Sequence, residues 1–459
     1  MSMVNFELKA GKKVLVVGLG KSGAAAANWL ARQGARVTVS EARDESAFDG
    51  RLPGELSDVE IEFEFGEHRL ESFVKTDLVV VSPGVPLDIM PLVEASRAGV
   101  PVLGELELAW TYLRTPSIAV TGTNGKSTVV KLIGEMLSRA GKKVFVGGNI
   151  DVPLTAYIAG AQDADYAVLE VSSFQLDTVS TFSPLVALIL NISPDHLDRY
   201  ADYEAYIRSK ERIFENQGPE QVLILNDDDP KLTSLEPRGG PRVYRYGIER
   251  KKDRQGFLED GRIVADIPGH GALTFELDRF TLPGIHNHEN AMAAILAALV
   301  IDTPPDAIQE GIDAFKGLAH RIELVDTIMG IAFYDDSKAT NIDAAIKSIT
   351  SFSRPVVLIA GGRHKGSDYR PLVDAAKGRV KSAVFIGESS TLLATAFNGT
   401  IPWSEVRTLD DAVYRAYDRA QEGDVVLLAP ACSSFDMFRD YRHRGMAFQE
   451  AVRRLRDDI

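Results

Sequence analysis

The segment Ala119-Val-Thr-Gly-Thr-Asn-Gly-Lys-Ser-Thr128 constrains this chain more than any other. A short apolar stretch, Ser117-Ile-Ala-Val120, leads into it, and a helical pattern, Val129-Val-Lys-Leu-Ile-Gly-Glu-Met-Leu, leads out. A strand, a glycine loop and a helix opening on Lys-Ser-Thr make a polyphosphate site. Small residues at Gly122, Thr123, Asn124 and Gly125 let backbone N–H groups converge on phosphate oxygens. The helix N-terminus adds unpaired donors and a positive dipole, Lys126 adds a point charge, and a hydroxyl from Ser127 or Thr128 suits Mg²⁺. The common nucleotide loop carries a glycine five residues before the glycine of its Gly-Lys pair. Here Val120 holds that position and the additional glycine is Gly122, so the segment reads as a nucleoside-triphosphate loop of a distinct kind.

With 459 residues the chain is too long for one core, and a prior of about 150 residues per domain gives about three. Apolar runs such as Leu78–Val81 and 186–190 have strand length and do not span a bilayer. Residues 1–13 are mixed and do not read as a signal peptide. A single cysteine, Cys432, excludes an intramolecular disulfide framework and a cysteine metal cluster, and fits a reducing cytoplasm. The formal net charge of −14 argues against nonspecific binding to nucleic acid or to an anionic membrane. Anionic ligands would therefore need local clusters of Lys, Arg, backbone N–H and metal.

Strand and helix signals alternate nearly throughout, which predicts an α/β chain with largely parallel sheets. In the first block, the strand 13–17 runs into Gly18-Leu-Gly20-Lys-Ser22-Gly23. A helix over 24–33 and a strand over 36–40 follow, and the strand ends on Glu41. This is a dinucleotide-type βαβ unit with an acidic residue about 20 positions on, where a ribose hydroxyl can bind. A second glycine corner, Val81-Ser82-Pro-Gly84-Val85, follows another buried strand. The second block predicts strands at 166–170, 186–191 and 221–226, a small β excursion within 236–283, and a helix over 289–298. In the third, strands at 354–360, 382–386 and 424–428 each end in a Gly or Pro-Ala corner.

Several polar corners leave these strands. Glu170, ending a buried strand near the phosphate loop, is placed to ligate Mg²⁺ directly or through water; the alternative is an exposed strand-end carboxylate. Asp195, His196, Asp198 and Arg199 crowd the corner after the strand at 186. Lys210, on a helical pattern over 203–214, reads from its residues alone as a surface lysine. Asn287 and Asn290 open an alanine-rich helix, where they read an adenine edge or, more commonly, cap the helix. In the third block, His320-Arg321, Asp335 to Asn341, Gly361 to Gly366 and Ala429 to Asp436 are four polar corners able to converge at one carboxyl edge.

Taken together, these motifs resemble the Mur ligases of peptidoglycan synthesis, over essentially the whole chain. The Thr-Gly-Thr-Asn-Gly-Lys-Ser-Thr loop is shared across that superfamily, folylpolyglutamate synthases included. The segment Asp336-Ser-Lys-Ala-Thr-Asn341 and the Pro-Ala-Cys segment near 430 resemble the D-glutamate-adding members. The Asp-Asn-Pro-Arg motif of the diamino-acid-adding members is absent. The resemblance implies a Rossmann-like UDP domain (1–107), a central P-loop-type ATPase domain (108–317) and a Rossmann-like amino-acid domain (318–459). It implies a monomeric cytoplasmic ligase that uses ATP and Mg²⁺ and joins D-glutamate to UDP-N-acetylmuramoyl-L-alanine. Gly18, Gly20, Ser22, Glu41, Arg43, Ser82 and Gly84 then serve the UDP substrate, and Asn149 its muramoyl end. Lys126 holds the ATP phosphates. Ser127 and Glu170 hold one Mg²⁺, with His196 and Lys210, as a carbamate, at a second. Asn287, Asn290, Arg321, Asp336 and Lys338 line ATP. Thr340, Lys365, Ser434 and Phe435 hold D-glutamate, with Tyr441 close by.

Rival readings stay open at this point. The fingerprint Gly18-x-Gly20-x-x-Gly23 alone suits an NAD-dependent oxidoreductase, which leaves the Lys126 loop unexplained. A non-catalytic nucleotide-regulated binding protein is a second, against which Glu170, His196 and Lys210 stand beside Lys126. A third is another amino-acid ligase of the same superfamily.

Overall fold

The computed structural model describes residues 8–48, 56, 58–197, 199–237, 240–366 and 368–459. Three sheets follow one another along the chain. The first holds β1 (Lys13–Val17), β2 (Arg36–Glu41), β3 (Ile61–Phe65), β4 (Leu78–Val81) and β5 (Val102–Gly104), all parallel, in the order β3-β2-β1-β4-β5. The direction of winding reverses at β1 and β4, so the glycine corners after these strands share the carboxyl edge where such sheets bind ligands. Gly23 lets the first helix, Lys21–Arg32, close on its strand: a Cβ there would lie 1.9 Å from the Gly18 carbonyl.

The helix Glu105–Tyr112 carries the chain into the second sheet and is pinned by two buried carboxylates. Glu105 Oε1 accepts from the N–H and hydroxyl of Thr155, both at 2.7 Å, and Glu107 Oε1 does the same with Thr181, both at 2.7 Å. The second sheet adds β6 (Ser117–Thr121), β7 (Val144–Gly148), β8 (Tyr166–Glu170), β9 (Val186–Ile189), β10 (Val222–Asn226) and β11 (Arg242–Tyr246). It continues through β12 (Gly256–Glu259), β13 (Arg262–Ile267) and β14 (Gly271–Phe275). Its order is β14-β13-β12-β11-β10-β9-β6-β8-β7. The β excursion expected in 236–283 is present as β11–β14: β11 pairs in parallel with β10, and β12–β14 extend the same nine-stranded sheet. The loop helix Lys126–Arg139 buries Val129, Val130, Leu132, Ile133, Met136 and Leu137 under the helices Ile285–Val300 and Pro305–Ala314. Each such side chain contributes about 1.5–3 kcal/mol, and together they fix the start of that helix.

The third sheet comprises β15 (Glu323–Ile328), β16 (Ile331–Asp335), β17 (Val356–Gly361), β18 (Val380–Ile386), β19 (Trp403–Glu405) and β20 (Val425–Leu428). Its order is β15-β16-β20-β17-β18-β19, parallel apart from the hairpin β15–β16. The strands expected at 354, 382 and 424 are present within two residues; the hairpin β15–β16 and the strands β3, β5, β7 and β19 were not expected. Among the described residues no helix is long and apolar enough to cross a membrane.

Candidate active site

The phosphate loop leaves β6 through Gly122 (φ 150°) and reaches its helix through Gly125 (φ 89°), both in the positive-φ range that favours glycine. No side chain caps that helix, so its first N–H groups stay available to an anion. Asn191, in the corner after β9, braces the loop: its carbonyl accepts Thr123 N–H at 2.9 Å and its Oδ1 accepts Asn124 N–H at 2.8 Å. Lys126 folds back over the loop and donates to the carbonyls of Gly122 (2.8 Å) and Thr123 (2.9 Å). Burial lowers its pKa, Arg321 and Lys365 add to that, and Glu170 and Asp195 oppose it.

Glu170 closes β8 and is only 2% exposed, so it is not the exposed strand-end carboxylate of the alternative reading. Its Oε2 accepts the Ser127 hydroxyl at 2.5 Å, its Oε1 accepts Asn149 Nδ2 at 2.8 Å, and Arg321 donates to Ser127 Oγ at 2.9 Å. Burial would raise its pKa, but Lys126, Lys338 and the two hydrogen bonds bring it below the usual carboxylate value.

Lys210 corrects the surface reading. It is 1% exposed, donates to the Gly122 carbonyl at 3.0 Å and lies 4.5 Å from the Tyr206 ring centroid. Its helix, Tyr203–Glu211, turns the Tyr206–Lys210 face inward and passes into a 3₁₀ turn over Arg212–Phe214. Burial first, then Lys126, drives the Lys210 pKa well below normal, against Asp195, Asp177 and Glu170. His196 sits at φ 56°, edge-on to Phe174 with centroids 4.8 Å apart; Asp198 lies outside the described residues.

The corner after β9 also meets the third sheet. Asp195 accepts from Lys365 Nζ at 3.3 Å and from Asn341 Nδ2 at 3.1 Å. Asp343 accepts from Asn124 Nδ2 at 2.7 Å and from Ser193 Oγ at 3.2 Å. Asp343 was not anticipated, because its partners lie far away in sequence and only the tertiary fold brings them together.

Beside the loop lies a cleft of about 750 Å³, part of it open to solvent. Asn124, Gly125, Thr128, Asn287, Asn290, Arg321, Asp336 and Lys338 all line it, and so do Asn226, His286 and Glu289, which sequence reasoning missed. Asn287 and Asn290 sit inside the helix Ile285–Val300 rather than at its cap, which is Gly284. Burial pushes Asp336 up to about 6, and it accepts the Ser348 hydroxyl. Lys338 lies 4.0 Å from the Tyr441 ring centroid; burial, then Arg321 and Lys126, push it down to about 7 against the pull of Glu170.

At the first sheet, Gly18 (φ 89°) accepts the Ser82 hydroxyl at 2.9 Å, while Ser22 and Gly20 lie at the start of the helix Lys21–Arg32. The Glu41 carboxylate is already engaged. It accepts Leu19 N–H at 2.7 Å and Arg43 Nε at 2.9 Å, and these bonds bring its pKa to about 2 although burial opposes them. A ribose hydroxyl would share that carboxylate with Arg43. The Gly84 carbonyl accepts Arg199 Nη1 at 3.1 Å, joining the first sheet's corner to the second sheet. On the third sheet, Thr340 N–H bonds to the Lys338 carbonyl at 2.8 Å, Ser434 is buried, and Phe435 is 62% exposed.

The described residues also bring His320, Glu323 and Asp335 within 4.8 Å of one another. They are bound to one another and to Gln449: Asp335 accepts His320 Nδ1 at 2.7 Å, and Gln449 Nε2 donates to Asp335 at 3.1 Å and to Glu323 at 3.2 Å.

Three family models match in succession: a Mur ligase MurD-like N-terminal domain over 12–104, a Mur ligase middle domain over 120–298, and a Mur ligase glutamate ligase domain over 320–432. The UDP-N-acetylmuramoylalanine–D-glutamate ligase of Acidobacterium capsulatum is 45% identical over 97% of each chain. That of Geotalea daltonii is 43% identical over 97% of this chain and 98% of its own. Among solved structures, UDP-N-acetylmuramate-alanine ligase from Thermotoga maritima superposes with a TM-score of 0.61 at 20% identity, covering 98% of this chain and 100% of that one. Folylpolyglutamate synthase of Mycobacterium tuberculosis, complexed with ADP and AMPPCP, gives 0.58 at 18% identity, covering 76% and 92%. At these identities the structural likenesses speak for the fold.

Proposed function

The chain belongs to the Mur ligase family, and we propose that it joins D-glutamate to UDP-N-acetylmuramoyl-L-alanine with ATP, releasing ADP and phosphate, in peptidoglycan precursor synthesis. The observation that carries this reading is full-length identity of 45% and 43% to ligases of that name. The loop, carboxylate and cleft described above supply the chemistry it needs.

An amide forms from a carboxylate in water only after the carboxyl is activated. The muramoyl L-alanine carboxylate attacks the γ-phosphorus of ATP; the acyl phosphate forms and ADP leaves. The amine of D-glutamate then attacks the acyl carbon and phosphate departs. No protein nucleophile takes part, so the residues position reactants and neutralise charge. Lys126 exchanges its Gly122 and Thr123 carbonyls for phosphate oxygens, with the N-terminal N–H groups of its helix. Arg321 and Lys338 supply further positive charge from the third sheet, and Asn287 and Asn290 meet the base in the cleft beside Asp336. Ser127 and Glu170, hard oxygen donors in direct contact, fit a Mg²⁺ ion, and His196 and Lys210 would hold a second. The buried Lys210 favours the neutral amine that reacts with CO₂, so its carbamate would present an anionic oxygen to that ion. When bound, the ions neutralise charge on the phosphate oxygens.

Gly18, Gly20, Ser22, Glu41, Arg43, Ser82 and Gly84 take the UDP group, and Asn149 the muramoyl end. Thr340, Lys365, Ser434, Phe435 and Tyr441 take D-glutamate. The domains span 1–107, 108–317 and 318–459, and the enzyme works as a monomer in the cytoplasm.

The test is ADP release by the purified protein with ATP, Mg²⁺, UDP-N-acetylmuramoyl-L-alanine and a panel of amino acids. Release should require D-glutamate, and L-glutamate should be inactive. Release driven instead by L-glutamate or a diamino acid would overturn the assignment.

A further inference from the structure

In the wall of the nucleotide cleft, the Glu289 carboxylate and the Asn226 amide form a pair that the mechanism above does not use. Asn226 ends β10 and is 5% exposed. Its Oδ1 accepts Asp228 N–H at 3.0 Å, and its Nδ2 donates to Glu289 Oε1 at 3.1 Å. The first bond settles which way the amide faces, so a donor is turned toward the carboxylate. The corner that carries Asn226 is braced in its turn. Arg254, 4% exposed, donates from Nε to Asp227 at 2.9 Å and from Nη2 to Asp228, and Asp229 accepts Ile192 N–H at 2.8 Å.

Glu289 stands in the helix Ile285–Val300, where the spacing of His286, Glu289 and Asn290 puts them on one face. All three line the cleft, together with the apolar side chains of Leu282 and Leu318. Glu289 Oε1 is held by Asn226, and Oε2 has no hydrogen-bond partner among the described residues. The neighbouring amides have their donors engaged: Asn290 Nδ2 bonds to Asn287 Oδ1 at 3.2 Å, and Asn287 Nδ2 to the Pro283 carbonyl at 2.7 Å. The sheet order β10-β9-β6 sets Asn226 two strands from the strand that carries the phosphate loop, roughly 10 Å at the usual spacing. Positive charge gathers at the loop, from Lys126, Arg321 and Lys338. A nucleotide with its phosphates there lies with its base toward the Asn226–Glu289 pair.

We infer that Glu289, held by Asn226, is the residue that selects the base: its Oε2 accepts the exocyclic amine of a 6-aminopurine and repels the carbonyl oxygen of a 6-oxopurine. The inference rests on the ATP-dependent ligase reading above and adds to it the discrimination among nucleotides. Adenine carries a donor at that position, whereas guanine and hypoxanthine carry an acceptor. An ionised carboxylate only accepts, so unlike an amide or a hydroxyl it cannot turn to suit the wrong base. Two acceptors face to face leave both without a proton, and a site built to bond an N–H rejects the analogue that lacks it.

The experiment titrates the full chain with ADP and with IDP, which differ at the 6 position of the base, by calorimetry in Mg²⁺ at pH 8. Wild type should bind ADP at least about tenfold more tightly than IDP. In Glu289→Gln, Asn226 donates to the new amide oxygen and so turns its N–H groups to the base. ADP should then bind more weakly and IDP more tightly, bringing the two within about threefold of each other. The ratio of kcat/KM for ATP and ITP should fall in parallel. The binding arm needs no D-glutamate, so failure of wild type to ligate D-glutamate refutes the ligase reading and leaves this comparison standing. Equal affinity of wild type for ADP and IDP, or binding of neither, would overturn the inference. So would an equal loss of both in Glu289→Gln, which would assign the carboxylate to the ribose or to the fold. If Glu289→Gln does not fold, Glu289→Ala takes its place and must also abolish the preference.

Discussion

Lys338 offers the sharpest quantitative test of the nucleotide cleft. Its pKa is pushed down to about 7 by burial and by Arg321 and Lys126. At pH 8 about nine in ten molecules therefore carry it neutral, at pH 7 about half, and at pH 6 about one in ten. A bound polyphosphate beside it favours the ammonium and moves the pKa back toward 10.5, its ordinary value. The bound state then holds more protons than the free state between those two values. Nucleotide affinity gains from Lys338 fully below about pH 7 and loses that gain as pH rises, approaching tenfold, or about 1.4 kcal/mol, per unit well above 7. Calorimetric titration with a non-hydrolysable ATP analogue at pH 8, in buffers of different ionisation enthalpy, reads the uptake directly. Wild type should take up about 0.9 proton more than Lys338→Met. The variant is the control because Lys126, also depressed, faces the same ligand. Equal uptake by the two proteins would show that Lys338 is not beside the phosphates, or is charged already.

Lys365→Ala should raise the D-glutamate requirement far more than that for ATP, by about 1.5–3 kcal/mol for one lost charge-assisted contact. It also strips Asp195 of its lysine partner, so a melting curve must accompany the kinetics; equal losses for both substrates would place Lys365 at the phosphates. Lys210→Ala should be nearly inactive yet folded, and a small carboxylic acid in the buffer should partly restore turnover by filling the vacated carboxylate position. Wild-type activity of Lys210→Ala in CO₂-depleted buffer would refute the carbamate. Lys126→Ala should abolish ATP turnover while UDP-substrate binding survives in equilibrium dialysis, and near-normal turnover would remove the phosphate-loop assignment.

What the sequence disclosed follows from how local each signal is. Buried parallel strands are continuous apolar runs ending in polar, glycine or proline corners, so β1, β4, β8 and β20 could be placed almost to the residue. The loop at Gly122–Thr128 was legible because its chemistry sits in seven consecutive residues. The hairpin β15–β16 was not, since Glu323–Ile328 is a half-exposed edge strand with no apolar run. Lys210 illustrates the same limit: a lysine on a polar helical pattern looks solvated until the fold lays Gly122 and Tyr206 over it. Glu41 was read as open to a ribose, yet Arg43, two residues on, already engages it, a pairing that side-chain geometry rather than spacing decides. Asp343 and the cleft residues Asn226 and Glu289 have their partners far off in sequence, and no short motif could have announced them.

The central claim is that the acceptor carboxylate is activated as an acyl phosphate before the amine attacks. The most direct measurement uses UDP-N-acetylmuramoyl-L-alanine labelled with ¹⁸O in its alanine carboxylate, turned over with ATP and D-glutamate, with the released phosphate analysed by mass spectrometry. Each phosphate should carry one oxygen from that carboxylate, because the oxygen that bonds to phosphorus is the one whose bond to the acyl carbon breaks when the amine attacks. Phosphate free of label, alongside normal amide formation, would contradict the account.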